Sequence, residues 1–123
     1  YLIDDDVTRI HLPLSLTFEK EKITGDFRPA HDSRIACLDL ALIRFPLILR
    51  RWKKGDSFQP CGMKHLKKLS DFFIDAKFSI FEKTNSWILE SDGKIVWLIG
   101  HRPDDRFRIT SDTVQVLRIE WLD

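Results

Sequence analysis

Two apolar runs, Trp87 to Leu89 and Ile95 to Ile99, flank an Asp92-Gly93 pair. Asp-Gly supplies the positive φ angles of a tight reversal, so the stretch predicts a β-hairpin. The second run does not alternate, because Ile95, Val96, Trp97, Leu98 and Ile99 are all apolar. A strand of that kind is buried on both faces, which commits the chain to a sheet and predicts a central position for this strand.

Other periodicities fill in the sheet. Ile10, Leu12, Leu14, Leu16 and Phe18 alternate with their neighbours as in a half-buried strand, and Pro13, which cannot donate to a ladder, makes it an edge strand. Residues 19 to 34 are polar, contain Gly25 and Pro29, and read as a loop. Strands are expected at Ile35 to Leu38, at Leu47 to Trp52 after Pro46, and at Thr113 to Trp121, where Leu117, Ile119 and Trp121 share a face. One helical period runs from Lys64 to Lys77, principally near residues 66–76, with Leu66, Leu69 and Phe73 on one side. It starts either near Lys64, which sets three lysines against the macrodipole, or at Ser70 as N-cap, which leaves them just ahead of the exposed N–H groups. Either start gathers Lys64, Lys67 and Lys68 at a positive helix end. Several strands and one helix make an α+β domain.

With 43% hydrophobic and 32% charged residues, five Gly and five Pro, the chain is excluded from the collagenous, low-complexity and disordered classes. No apolar run approaches the ~18 residues of a membrane helix. Cys37 and Cys61 form no CxxC, so free thiols in a reducing cytoplasm are expected. The start at Tyr1, with no basic and apolar leader, reads as no secretory signal and as a piece of something longer.

The net charge of +1 conceals an asymmetry: residues 50 to 77 hold eight Lys/Arg against three Asp/Glu, while the segments on either side are each net −2. A local basic segment points to a polyanionic partner; the plain alternative is a solvated face. Aromatics interleave there (Trp52, Phe58, Phe72, Phe73), which suits phosphate contact with stacking, although core packing explains each ring better on its own. Gly55 and Gly62 fit no nucleotide-binding loop, and no GxSxG or HExxH motif is present. His101, Asp104 and Asp105 could form a metal or hydrolytic cluster, but Arg102, Arg106 and Arg108 surround them and favour an ion-paired loop.

Gly55-Asp56-x-Phe58-x-Pro60-x-Gly62-Met63, followed by Lys67-Lys68-Leu69-x-Asp71-Phe72-Phe73-x-Asp75-x-Lys77, resembles the C-terminal domain of tRNA(Ile)-lysidine synthase. The resemblance continues through Ile95-Val96-Trp97, Gly100-x-Arg102 and Arg106-Phe107-Arg108-Ile109-Thr110, and upstream through Phe45-Pro46-Leu47 and Arg50, covering roughly residues 37 to 119. His65 stands where the family often has glycine, and Arg108 where it usually has lysine. The resemblance implies a small layered domain of mostly antiparallel strands, β-sandwich-like and similar to a tRNA synthetase appendage. It implies residues 1–36 as an N-terminal strand and loop leading into a tRNA-binding domain at 37–123. It further implies a non-catalytic fragment, without cofactor, that grips the acceptor stem of tRNA(Ile). The parent would be a cytoplasmic ATP-dependent carbon-nitrogen ligase, using ATP and Mg in an N-terminal catalytic domain to attach lysine to the wobble cytidine. The residues expected on tRNA are Arg50, Lys53, Lys54, Lys64, Lys67, Lys68, Arg102, Arg106 and Arg108. A module for interdomain docking or for a homodimer is the alternative, marked by an exposed patch of Leu66, Phe72, Phe73 and Trp52.

Overall fold

The computed structural model describes residues 1–123. Its strands are β1 Leu2–Ile3, β2 Arg9–Ile10, β3 Leu16–Lys22, β4 Ile35–Asp39, β5 Leu47–Arg51, β6 Ser57–Phe58, β7 Lys67–Lys68, β8 Trp87–Ser91, β9 Lys94–Leu98 and β10 Gln115–Trp121. Helices α1 Leu69–Asp75 and α2 Ile80–Thr84 lie between β7 and β8. One four-stranded sheet runs β1-β5-β8-β9, a second runs β2-β3-β10-β4, and β6 and β7 make a separate ribbon, with every pairing antiparallel. The fold is thus the expected α+β domain of mostly antiparallel strands.

Alternation along the strands creates two cores. The main core of 15 buried residues draws Ile3, Leu47, Leu49, Leu89 and Trp97 from the first sheet and Leu16, Phe18, Ala36, Leu117 and Ile119 from the second. Ile88, Ile95 and Leu98 point to the other face of the first sheet, where α1 supplies Leu69 and Phe73 and β6 supplies Phe58. This explains the unbroken apolar run, since β9 is covered on both faces. A register shift at Leu89/Glu90 lets the neighbours Val96 and Trp97 both serve the main core. The strand is nevertheless at the end of its sheet rather than central. Its free edge is closed by the chain itself: Asp104 N–H donates to Val96 O at 2.8 Å, and Pro103 bridges Trp97.

The Asp92-Gly93 turn has the expected positive φ values, 50° and 79°. Residues 10 to 18 differ from the single strand expected. Ile10 pairs with Leu16 across a reversal that contains Pro13, which has no N–H to continue a ladder. β3 then extends to Lys22, into residues expected to form a loop, because seven consecutive pairs with β10 supply its hydrogen bonds. Residues 1–36 do more than lead in: β1 and β3 belong to different sheets, and Ile3, Leu16, Phe18 and Ala36 sit in the main core. The helix begins at neither expected position. Lys67 and Lys68 pair with Phe58 and Ser57, so Lys68 becomes an N-cap without a side-chain bond and α1 is only seven residues long. Helix α2 was not expected, although Ser79 and Glu82 form a reciprocal capping box.

Candidate nucleic-acid interface

The nine expected cations fall into two sets. Arg50, on β5, donates from its two Nη atoms to Asp56 at 2.9 and 2.9 Å, and from Nε and Nη2 to Glu90 Oε1 at 3.2 and 3.0 Å. Burial alone would push the Asp56 carboxyl up, but the Arg50 fork and the Lys53 N–H (2.7 Å) outweigh it and hold it below its usual value. Arg106 grips Asp104 through Nε and Nη2 at 2.9 Å each, and Asp104, fully buried, also accepts from the backbone N–H groups of Gln59 and Arg106 at 2.7 and 2.8 Å. Arg108 pairs with Asp105 at 3.1 Å, and Lys67 pairs with Asp75. Asp104 and Asp105 therefore sit in the ion-paired loop that the sequence favours.

Lys53, Lys54, Lys64, Lys68 and Arg102 are exposed and form no ion pair. The paired set positions the free one. Asp56 closes the turn at Gly55 (φ 97°) that presents Lys53 and Lys54, and its own carbonyl receives the Leu69 N–H at 2.9 Å, bringing the start of α1 and Lys68 to the same place. Strand alternation on β7 divides the lysine pair, so Lys68 is exposed while Lys67 turns toward a cleft. Loop Pro60–Met63 is pinned to the other arginine loop by Cys61 N–H to Pro103 O (3.0 Å) and Gly62 N–H to Asp105 Oδ1 (3.2 Å).

The aromatics of the basic stretch go into packing. Trp52 meets Phe73 edge-on at 4.9 Å, its Nε1 donating to Lys83 O at 2.7 Å, and Phe72 meets Phe58 at 5.3 Å. Phe73 is 1% exposed, so the apolar patch that would mark docking does not form from those four residues. Ile74, Ile80 and Phe81 are exposed instead, at 71%, 82% and 76%.

Lys67, Arg102 and Arg108 line a cleft of about 740 Å³ together with residues 29–33 and with Cys37, Cys61, Met63 and His101. Local spacing could not show this, because the walls come from three distant segments. Burial pushes the His101 imidazole below its usual pKa, opposed by the Glu82 charge.

Two facing antiparallel sheets, with α1 and the β6–β7 ribbon on one outer face, define a small layered α+β domain. Residues 47–121 match the family model described as the TilS substrate C-terminal domain. The chain is 48% identical over 99% of its length to the tRNA(Ile)-lysidine synthase of Parabacteroides distasonis, and 42% identical over 86% to that of Bacteroides thetaiotaomicron. It spans 28% and 25% of those two proteins, about a quarter of each. The chain belongs to the tRNA(Ile)-lysidine synthase C-terminal domain family. Its fold is similar to the crystal structure of a TilS C-terminal domain (TM-score 0.78, 24% identity, 98% of this chain and 95% of that one). It is similar too to an N-terminal fragment of the phenylalanyl-tRNA synthetase β-subunit from Pyrococcus horikoshii (TM-score 0.61, 20% identity, 71% and 27%). No helix is long and apolar enough to cross a membrane.

Proposed function

We propose that this domain binds tRNA(Ile), holding the acceptor stem for a cytoplasmic tRNA(Ile)-lysidine synthase whose lysine transfer, with its ATP and Mg, takes place in the part of the protein outside this chain. The observation that carries the reading is the set of exposed, unneutralised cations at Lys53, Lys54, Lys64, Lys68 and Arg102, held in place by buried ion pairs. An A-form stem hides its base edges in a deep groove, so such a domain reads phosphates and 2′-hydroxyls by shape, which flexible amines suit. Arg50 and Arg106 then act from behind, shaping the loops that carry those amines. Titrating tRNA(Ile) at several salt concentrations tests it. Binding should weaken steeply with salt, and each phosphate contact removed should reduce the slope of log affinity against log salt by about 0.7 to 0.9. Affinity indifferent to both salt and lysine replacement refutes the reading.

A second reading is favoured by Ile74, Ile80 and Phe81: the same domain docks on the rest of its parent through α1 and α2. Replacing Ile80 and Phe81 with Glu separates the two, since only docking is lost if both readings hold.

A further inference from the structure

We infer that the cleft beside Arg102 is a pocket for one unpaired nucleotide that continues from the bound stem. This rests on the RNA-binding reading above and adds to it a second kind of contact.

A duplex is too broad and rigid to enter a cleft, so the stem can occupy only the exposed lysines outside it. The cleft has different properties. Its volume of about 740 Å³ lies in the range of small-ligand sites. Its walls are soft and apolar where Ile35, Cys37, Cys61, Met63 and Phe72 meet, the surface on which a base face is desolvated favourably. The ring of His101 stands in the same wall, packed on Phe78 at a centroid distance of 4.6 Å. That contact fixes the ring's orientation, and burial, which lowers the pKa of this half-buried imidazole, favours the neutral ring, with one N–H donor and one ring-nitrogen acceptor, in a lining of mixed polarity. The charges of the lining are almost balanced: Lys67 is matched by Asp75, Arg108 by Asp105 and Asp104 by Arg106, which leaves the exposed Arg102 as the one cation without an ion pair and Asp32 as the one such acid, so at most one negative charge is accommodated, at Arg102. An apolar stretch of wall for a flat ring, a polar group beside it and one exposed cation without an ion pair correspond to base, base edge and phosphate of a single nucleotide.

β7 separates the two surfaces: Lys68 is exposed on one face and Lys67, one residue away, lines the cleft on the other, so a strand leaving the stem rounds this two-residue strand to enter. Cys37 and Cys61, the only cysteines, both line the cleft and are both half-buried, which supplies a readout without substitution.

The test compares a blunt RNA hairpin with the same hairpin extended by a few unpaired nucleotides at its 3′ end, or at its 5′ end. Affinity is read by filter binding, and alkylation of the two thiols by N-ethylmaleimide is followed by mass spectrometry. One extension should bind about five-fold or more tightly than the blunt form and slow alkylation at both cysteines, while the blunt hairpin leaves their rates unchanged. Ala76→Trp, at an exposed cleft-lining position, should abolish the gain from the extension and leave most of the blunt affinity. If all hairpins bind equally and neither extension protects the thiols, the pocket is refuted and RNA binding stands. Equal protection by blunt and extended hairpins likewise refutes it, because the stem itself would then cover the cleft. If no hairpin binds, the RNA-binding reading fails and the pocket fails with it.

Discussion

Arg50 and Arg106 each close on carboxylates through forked hydrogen bonds, with Asp56 and Asp104 almost or wholly out of solvent, whereas Lys53, Lys54, Lys64 and Lys68 end in water. Arg50 stands just before Lys53 and Lys54 in sequence, and every one of these cations would count equally in a tally of charge. The planar guanidinium matches a carboxylate at two points and loses less to hydration, so burial selects it; the ammonium is a strongly hydrated point charge and stays outside. The charge a chain carries and the charge it offers to a partner are therefore different quantities, and here the second comes from the lysines and Arg102.

Breaking the buried side should do most harm. Asp104→Ala strands the Gln59 and Arg106 N–H groups and the Arg106 guanidinium, and should destabilise the domain by about 3 to 5 kcal/mol in urea unfolding. Asp56→Ala should cost about 2 kcal/mol, since Asp56 keeps a little exposure and Arg50 retains Glu90. Its pH behaviour sharpens the point. The Asp56 carboxyl ionises below its usual 3.8 in the folded chain, so the unfolded chain takes up the proton first. The stability due to this pair is complete above 3.8 and is lost as pH falls through the lower folded value. The Asp56→Asn variant should lack that part of the acid-induced loss, measured as urea midpoints at successive pH values.

The lysines should behave in the opposite way. Changing Lys53, Lys54, Lys64 and Lys68 to Ala should shift stability by no more than about 0.5 kcal/mol per site, yet reduce RNA affinity and its salt slope. The smallest effect concerns His101. Its folded pKa lies below 6.5, so its contribution is present above that value and lost as pH falls toward the folded one; an NMR titration of the ring should show a midpoint below 6.5.

What the sequence made legible was whatever is decided locally. Asp92-Gly93 fixes its hairpin, and the alternation Leu117, Ile119, Trp121 marks a strand that pairs on both sides. The start of α1 was not legible, because Lys67-Lys68 is drawn into a ribbon by residues ten positions upstream, at Ser57-Phe58. Glu19 to Lys22 look like a loop on their own and become a strand only against β10. The α2 capping box is written in the sequence as Ser79-x-x-Glu82, but a helix of five residues is too short to show a period of its own. Of the site, the residue types and their clustering were visible. Which cations are already matched depends on where the loop of Asp104 and Asp105 lands, and the cleft depends on residues 29–38 crossing to meet it.

The closed flank of β9 has a consequence for how copies of this domain meet one another. With Pro103 and Asp104 laid along it, and only the two-residue β1 at the far end, the first sheet leaves no long row of unpaired amides for a foreign strand to extend. Two copies of the domain that meet at high concentration therefore find no long open edge on that sheet along which to pair.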